Sequence, residues 1–385
     1  MNTKKIRIAW LFPSLALGNY WHPVLSEFTK IYPQTTVFTG EWPGYSPGFE
    51  KTFTVKVVDR MKFIETVRSE TGYSRGFIRL SLKIVVELLR FQPDIIFTTG
   101  FSIWSFLSLL LKPMGRWQVI IAYEGSSPAV DYRDSPVRLF LRRLMTRFTD
   151  AFITNSITGK NYLIECLKVP ERLVFSRPYQ VPDVTALVEG TQENNSIFRQ
   201  FQQPIFLFTG QTIPRKGLSQ LLKACKLLQE RGYRNYTLLI VGDGNQKDEL
   251  QEFCKLQDLE KSVHWLGWIN YRQLGAYFKN ADIFIFPTLE DTWGMAILEA
   301  MAFGKPILCS KWAGASEIII DRSNGYLFDP HQTQEIADAM QNLIEQPKLI
   351  PLMAKRSQEL IAGHTPIDAA LFLAKVTNTV VARKS

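Results

Sequence analysis

The chain has 385 residues, a length that suits two domains, and 46% of them are hydrophobic, which is enough for two sizeable cores. Its four cysteines, Cys166, Cys225, Cys254 and Cys309, lie far apart without metal spacing, which argues against a zinc or disulfide framework and for a reducing, cytoplasmic compartment. The formal charge of +9 is one-sided: residues 1–185 hold 24 Lys/Arg against 15 Asp/Glu while the remainder holds 21 of each, so an anionic partner, a membrane surface or nucleic acid, belongs with the first half.

Lys4, Lys5 and Arg7 ahead of an apolar run have the outline of a signal peptide. Pro13 and Ser14 interrupt that run, however, and residues 6–12 read better as a first buried strand. A loop holding Gly18-Asn19 follows, then a helix to about Ile31, a strand over 37–39 and an aromatic-, Pro- and Gly-rich loop over 40–48. Its segment 42–49 suits either an acceptor site or a cover for a sheet edge. Residues 77–90 are expected to be helical, with Ile78, Leu82, Val85, Val86 and Leu89 on one face. Residues 94–98 read as a strand, and 103–111 as an apolar helix too short for a bilayer, which needs ~20 residues. Residues 118–122 are a strand ending at Tyr123-Glu124-Gly125. This alternation predicts a parallel α/β sheet with its ligands at the carboxyl ends of the strands. Gly18-Asn19, Thr99-Gly100 and Tyr123-Glu124-Gly125 then share one rim.

Ser135-Pro136 opens another helix, with Ser as N-cap and Pro at the first helical position. Val137, Phe140, Leu141, Leu144 and Phe148 share one face, flanked by Arg138, Arg142, Arg143 and Arg147. Such a face either packs on its own sheet or lies on an anionic membrane. A nucleic-acid partner is disfavoured, because the arginines are not interleaved with an aromatic base platform. The polar stretch within 178–203 reads as an interdomain linker.

A second α/β unit begins with a strand over 205–209. The loop GQTIPRKG (210–217) places Arg215 and Lys216 just before a helix start, where cations can neutralise a departing diphosphate. Further strands are expected over 236–241, 263–266, 282–286, 306–310 and 325–328, with helices over 332–345 and 366–382. The densest stretch is PTLEDTWGMAILEAMAFG (287–304): buried strand, polar turn, then a helix opened by Gly294 and closed near Gly304. Its N–H groups around Thr292, Trp293, Gly294 and Met295 are expected to lack partners and to form an anion site. Asp291 and Glu299 frame it. Carboxylates repel phosphate, so they should hold hydroxyls while the amides hold the anion, and phosphate beside hydroxyls describes a sugar nucleotide. A structural βα turn with a helix-start acid is the plainer alternative.

The blocks TGQTIPRKG (209–217), LLIVGDG (238–244), VHWLGW (263–268), ADIFIFPTLEDTWGMAILEAMAFGKPILCS (281–310), AGASE (313–317) and NGYLF (324–328), in this order and spacing, resemble the donor-binding domain of retaining glycosyltransferases of family 4. The first half resembles the family only loosely. The resemblance implies the GT-B fold: two Rossmann-like α/β domains facing across a cleft. It assigns residues 1–183 to an acceptor domain, 184–203 to a linker, 204–365 to a nucleotide-sugar domain, and 366–385 to a helix returning to the first domain. It implies that Lys216 and Arg215 contact the donor diphosphate, with Gly18-Asn19 approaching from the other domain. Thr292, Trp293, Gly294 and Met295 would bind phosphate or sugar through their amides. Glu299 would hold the ribose and Asp291 the transferred sugar, while Gly267-Trp268 would flank the base.

Three positions depart from the family pattern. The acidic pair is Asp291-x7-Glu299 rather than Glu-x7-Glu. Gln211 stands where an arginine is common. Glu124 lies near the place where many relatives carry a histidine, as a candidate on the acceptor side. The activity implied is metal-independent, retaining transfer of a hexose from a UDP- or GDP-sugar, without cofactor, to a sugar or lipid-linked acceptor in glycolipid or surface-polysaccharide biosynthesis. A catalytically silent nucleotide- or membrane-binding GT-B protein is the alternative that Asp291 and Gln211 keep open.

Overall fold

The computed structural model describes residues 5–15, 20–67, 69, 73–189, 191 and 195–383. The chain divides into two compact units, the first made of Met1–Arg68, Ser74–Val181 and His364–Ser385, the second of Ser69–Tyr73 and Pro182–Gly363.

The first unit holds the strands β1 (Ile8–Phe12), β2 (Thr35–Thr39), β3 (Thr54–Val57), β4 (Lys62–Val67), β5 (Arg75–Arg79), β6 (Ile95–Thr99), β7 (Gln118–Ala122), β8 (Ala151–Thr154) and β9 (Val174–Ser176). Seven of them form one sheet in the order β3-β2-β1-β6-β7-β8-β9, parallel throughout. β1 is buried along its whole length, as its apolar run requires, and Trp10 stacks on Phe97 with ring centroids 4.2 Å apart. The helix Pro366–Ala382 completes this unit: Leu373, Val376 and Val380 are buried, and Gln118 Nε2 donates to the Val380 carbonyl.

The second unit holds β10 (Ile205–Thr209), β11 (Thr237–Val241), β12 (Val263–Gly267), β13 (Ile283–Phe286), β14 (Ile307–Ser310) and β15 (Gly325–Phe328). They form a parallel sheet in the order β12-β11-β10-β13-β14-β15. The order reverses between β10 and β13, so the loops after these two strands diverge and leave a crevice at their carboxyl ends.

Three expectations are corrected. Residues 77–90 are not one helix: β5 pairs antiparallel with β4, and the helix is confined to Ile84–Phe91. Residues 184–203 are not a free linker, because the helix Val184–Glu189 buries Ala186 and Leu187, and Phe198 joins the second unit's core. Finally, the apolar face of the helix Pro136–Thr146 does not pack on its sheet. Val137 and Phe140 are 70% and 66% exposed, while Leu139 and Met145 turn inward. The neighbouring helix Ile103–Leu110 likewise exposes Phe106 and Leu110. No helix among the described residues is long and apolar enough to cross a membrane.

Candidate functional site

The crevice between β10 and β13 is built by backbone first. After β10, a short 3-10 turn, Pro214–Lys216, ends at Gly217 with φ +70°. A Cβ there would sit 1.9 Å from the Pro287 carbonyl oxygen, so only glycine lets this turn lie against the end of β13. The turn is then tied down: Leu289 N–H and the Thr288 hydroxyl both donate to the Arg215 carbonyl, at 2.8 and 2.9 Å. The loop after β13 is held from its other side by the 313–315 segment. Gly314 N–H donates to the Asp291 carbonyl and Ala315 N–H to the Trp293 carbonyl. Gly294, at φ +108°, starts the helix Met295–Ala302, and Phe303-Gly304 ends it, with Gly304 at φ +63°.

This frame brings Asp291, Arg215 and Lys216 into one cluster. Lys216 Nζ donates to Asp291 Oδ2 at 2.5 Å, and Arg215 Nη1 to the same oxygen at 3.2 Å. Their side chains are 9–14% exposed. Burial opposes ionisation of Asp291, yet the two cations win and hold its carboxyl below the usual carboxylate range. Burial likewise draws the Lys216 ammonium below its usual value, against the pull of Asp291. Arg215 and Lys216 thus stand as two cations at this strand end, with Asp291 between them and the buried Glu290 carboxylate close by, and cations so placed are the donors that a phosphate needs.

Glu299 is buried, one turn into the helix Met295–Ala302, and among the described residues no cation shifts it. Burial pushes its carboxyl up to about 7, partly offset by a hydrogen bond with the Tyr271 side chain. The carboxylates of the Asp291-x7-Glu299 pair therefore differ in state. One is locked ionised and the other is poised near neutrality.

The helix-start amides are not all without partners, contrary to expectation. Trp293 N–H donates to Asp291 Oδ1 at 3.3 Å, and Thr292 N–H to the Tyr73 hydroxyl at 3.4 Å. Asp291 is the shorter acid of the Asp291-x7-Glu299 pair, and its carboxylate turns back on its own loop instead of standing clear. Gln211 is exposed at the start of the loop after β10. Gly267 has φ +73°, and its carbonyl accepts from Gly242 N–H at 2.8 Å, while Trp268 is 71% exposed. The Gly18-Asn19 pair lies outside the described residues.

In the first unit, Glu124 stands at the end of β7. It is partly buried, and burial pushes its carboxyl up against the pull of hydrogen bonds from Gln180 and Trp21. Asn155, at the end of β8, donates to the Glu124 carbonyl at 3.0 Å and to Gln180 Oε1 at 2.7 Å. The aromatic loop packs down rather than standing open. Ser46 N–H donates to Nδ1 of the buried His22, and the Trp42 and Tyr45 rings border that imidazole. Of the four arginines on the Pro136–Thr146 helix and its end, Arg142 is spent internally on the Asp131 and Val130 carbonyls and the Tyr162 hydroxyl. Arg143 holds the Cys166 carbonyl, and Arg138 lies over the Tyr132 ring.

Two site residues escaped the sequence reading. Tyr73 lies in a stretch without a motif, and its side chain reaches Asp291 across 218 positions of sequence. Tyr271 follows Gly267-Trp268 closely enough to be found by position, but only its bond to Glu299 gives it a role.

Residues 191–360 match the family model described as glycosyl transferases group 1. An uncharacterized glycosyltransferase of Methanocaldococcus jannaschii is 33% identical over 190 residues, 48% of this chain and 48% of that one. The alpha-D-kanosaminyltransferase of Streptomyces kanamyceticus is 27% identical over 168 residues, 44% of this chain and 43% of that one. The chain thus aligns with about half the length of these curated relatives. Among solved structures, HepE of Anabaena in complex with UDP superposes with a TM-score of 0.76 at 18% identity, covering 98% of this chain and all of that one. That likeness shows the fold, the GT-B architecture with two parallel-sheet α/β domains.

Proposed function

We propose that this chain, whose residues 191–360 carry a group 1 glycosyl transferase domain, moves a hexose from a nucleotide-sugar to an acceptor hydroxyl with retention of configuration and without a metal ion. The observation that carries the reading is the Lys216–Asp291–Arg215 cluster at the β10–β13 switch point, with buried Glu299 one turn into the helix that follows Asp291. The two cations and the start of the Met295–Ala302 helix stabilise the charge that builds on the departing diphosphate. Glu299 accepts from ribose hydroxyls, and Asp291 accepts from the transferred sugar. UDP is the nucleotide favoured by analogy with HepE, which binds it.

The first unit supplies acceptor recognition in this reading. Its exposed apolar helix face, flanked by Arg138, Arg143 and Arg147, suits a lipid-linked acceptor at an anionic membrane surface, and hence glycolipid or surface-polysaccharide synthesis. The test of the reaction is transfer from UDP-, GDP- and ADP-hexoses to a lipid-linked acceptor panel, with and without EDTA, followed by NMR of the anomeric proton. Chelator-resistant transfer with the donor's configuration is expected, and inversion of configuration or dependence on a metal contradicts the proposal. Sedimentation with phosphatidylglycerol vesicles tests the membrane part: wild type should pellet and Phe140→Ser/Phe148→Ser should not.

A further inference from the structure

One side chain in the crevice is of a kind that the donor should supply. Tyr73, which lies between β4 and β5 in sequence, belongs with residues Ser69–Tyr73 to the second unit. Its hydroxyl accepts from Thr292 N–H and donates to Asp291 Oδ1, both at 3.4 Å. Its backbone N–H donates to Glu290 Oε2 at 3.3 Å, and its ring lies over the Arg215 guanidinium, 4.0 Å from Cζ to centroid.

The chemistry of this pair of contacts is selective. A phosphate oxygen accepts from an amide but cannot donate to a carboxylate. A hydroxyl does both at once. Thr292 N–H and Asp291 Oδ1 together therefore form a hydroxyl-reading pair, while the anion falls to Lys216 and the amides further into the helix. The phenol fills this pair poorly. At 3.4 Å both are longer than usual, which is about 2.7–2.8 Å for the O–H···O bond to Asp291 and about 2.9–3.0 Å for the N–H···O bond from Thr292. A partner of better fit can displace it.

We infer that Tyr73 is an internal stand-in for a donor sugar hydroxyl, closing the Asp291–Thr292 subsite in the empty protein and leaving it when the nucleotide-sugar binds. This rests on the glycosyltransferase reading and extends it. While the phenol is in place, Arg215 is covered and the sugar subsite is shut to water. The donor must exchange Tyr73 for its own hydroxyl, so its apparent affinity carries the cost of that exchange. A nucleoside diphosphate without sugar has only to uncover Arg215 and does not contest the hydroxyl pair, so it carries the smaller part of the cost. Discrimination between sugars follows from the same competition, since only a hydroxyl able to satisfy both Thr292 N–H and Asp291 displaces the phenol.

Calorimetric titration of UDP and UDP-glucose, and of their GDP and ADP counterparts, into wild type, Tyr73→Phe and Tyr73→Ala tests the inference. Loss of two weak hydrogen bonds and a cation–π contact should tighten nucleotide-sugar binding by roughly fivefold to thirtyfold in Tyr73→Ala. Affinity for the bare nucleoside diphosphate should rise less, by the part that uncovering Arg215 contributes, and in Tyr73→Phe it should stay unchanged. Tyr73→Phe keeps the ring over Arg215 and drops the hydroxyl, so it should show part of the gain, which also guards against a misfolded alanine variant. Equal changes for both ligands, weaker sugar-nucleotide binding or no change would each overturn the role given to Tyr73 while leaving the donor site intact. Absence of any nucleotide binding in all three proteins removes the glycosyltransferase reading itself, and the Tyr73 inference with it.

Discussion

The strand ends of the two units handle buried carboxylates in opposite ways. At β10–β13, Asp291 sits between two cations and stays ionised, with every backbone segment around it laced to another. At β7–β8, the Glu124 carboxyl meets the neutral donors Gln180 and Trp21, and burial raises its pKa. The difference teaches what each can hold. A charged, rigid site is suited to an anion whose charge grows during reaction, and a neutral amide-lined one to hydroxyls. Glu299 belongs to the second unit but behaves like Glu124, which marks where the anion-binding part of the crevice stops.

The comparison breaks most visibly at Lys216. Lys216→Ala should lower kcat/KM by about 10²–10³-fold, the usual scale for losing one preorganised charge stabiliser. It should also cost about 3 kcal/mol of stability in urea denaturation, because Asp291 is left buried with only the longer Arg215 contact. Adding Asp291→Ala should recover part of the stability and none of the activity. If Lys216→Ala is neutral in both assays, the cluster is a surface ion pair and the contrast between the two sites disappears.

A smaller effect sharpens the boundary at Glu299. Its carboxyl lies near 7 and must be ionised to accept from both ribose hydroxyls, so donor affinity should rise with pH up to about 7 and then level off. Below that point the fall should approach tenfold per pH unit, and Glu299→Gln should flatten it. The stability linkage has the opposite sign. A carboxyl whose folded pKa is raised contributes stability that is full below the unfolded value near 4.5 and is lost as pH rises through about 7. Glu299→Gln should therefore narrow the stability difference between pH 5 and pH 8, read by thermal denaturation.

Much of the second unit was legible because its chemistry is local. Strand, glycine turn and helix start follow one another within twenty residues, and the run from Pro287 to Gly304 carries its own stop and start signals. What stayed hidden was long-range. Residues 77–90 carry apolar positions at helical spacing, yet Arg75–Arg79 is a strand because β4 pairs with it, and no local pattern encodes that pairing. The apolar faces on residues 77–90 and 136–148 were real, but Leu82, Val86, Val137 and Phe140 point to solvent, while Ile84, Leu88 and Met145 fill the core. Periodicity identifies a face and not what covers it. Tyr73 left no signal at all, since its meaning comes only from Asp291, Thr292 and Arg215.

The smallest effect is expected at Glu124. Glu124→Gln should leave nucleotide-sugar affinity within about twofold, since a neutral amide in a neutral network changes little. Its effect should appear in the KM for the acceptor. A loss of nucleotide binding in this variant would mean that the first unit's strand ends hold the anion too.

The central claim is that the β10–β13 crevice is the nucleotide-sugar site. Its most direct measurement is thermal denaturation of the wild type and of Glu299→Ala and Lys216→Ala with UDP, GDP, ADP and their hexose derivatives. One nucleotide family at a hundred times its Kd should stabilise the wild type by about 2.7 kcal/mol and neither variant. A shift that survives in both variants, or no shift with any of the nucleotides, would contradict the claim.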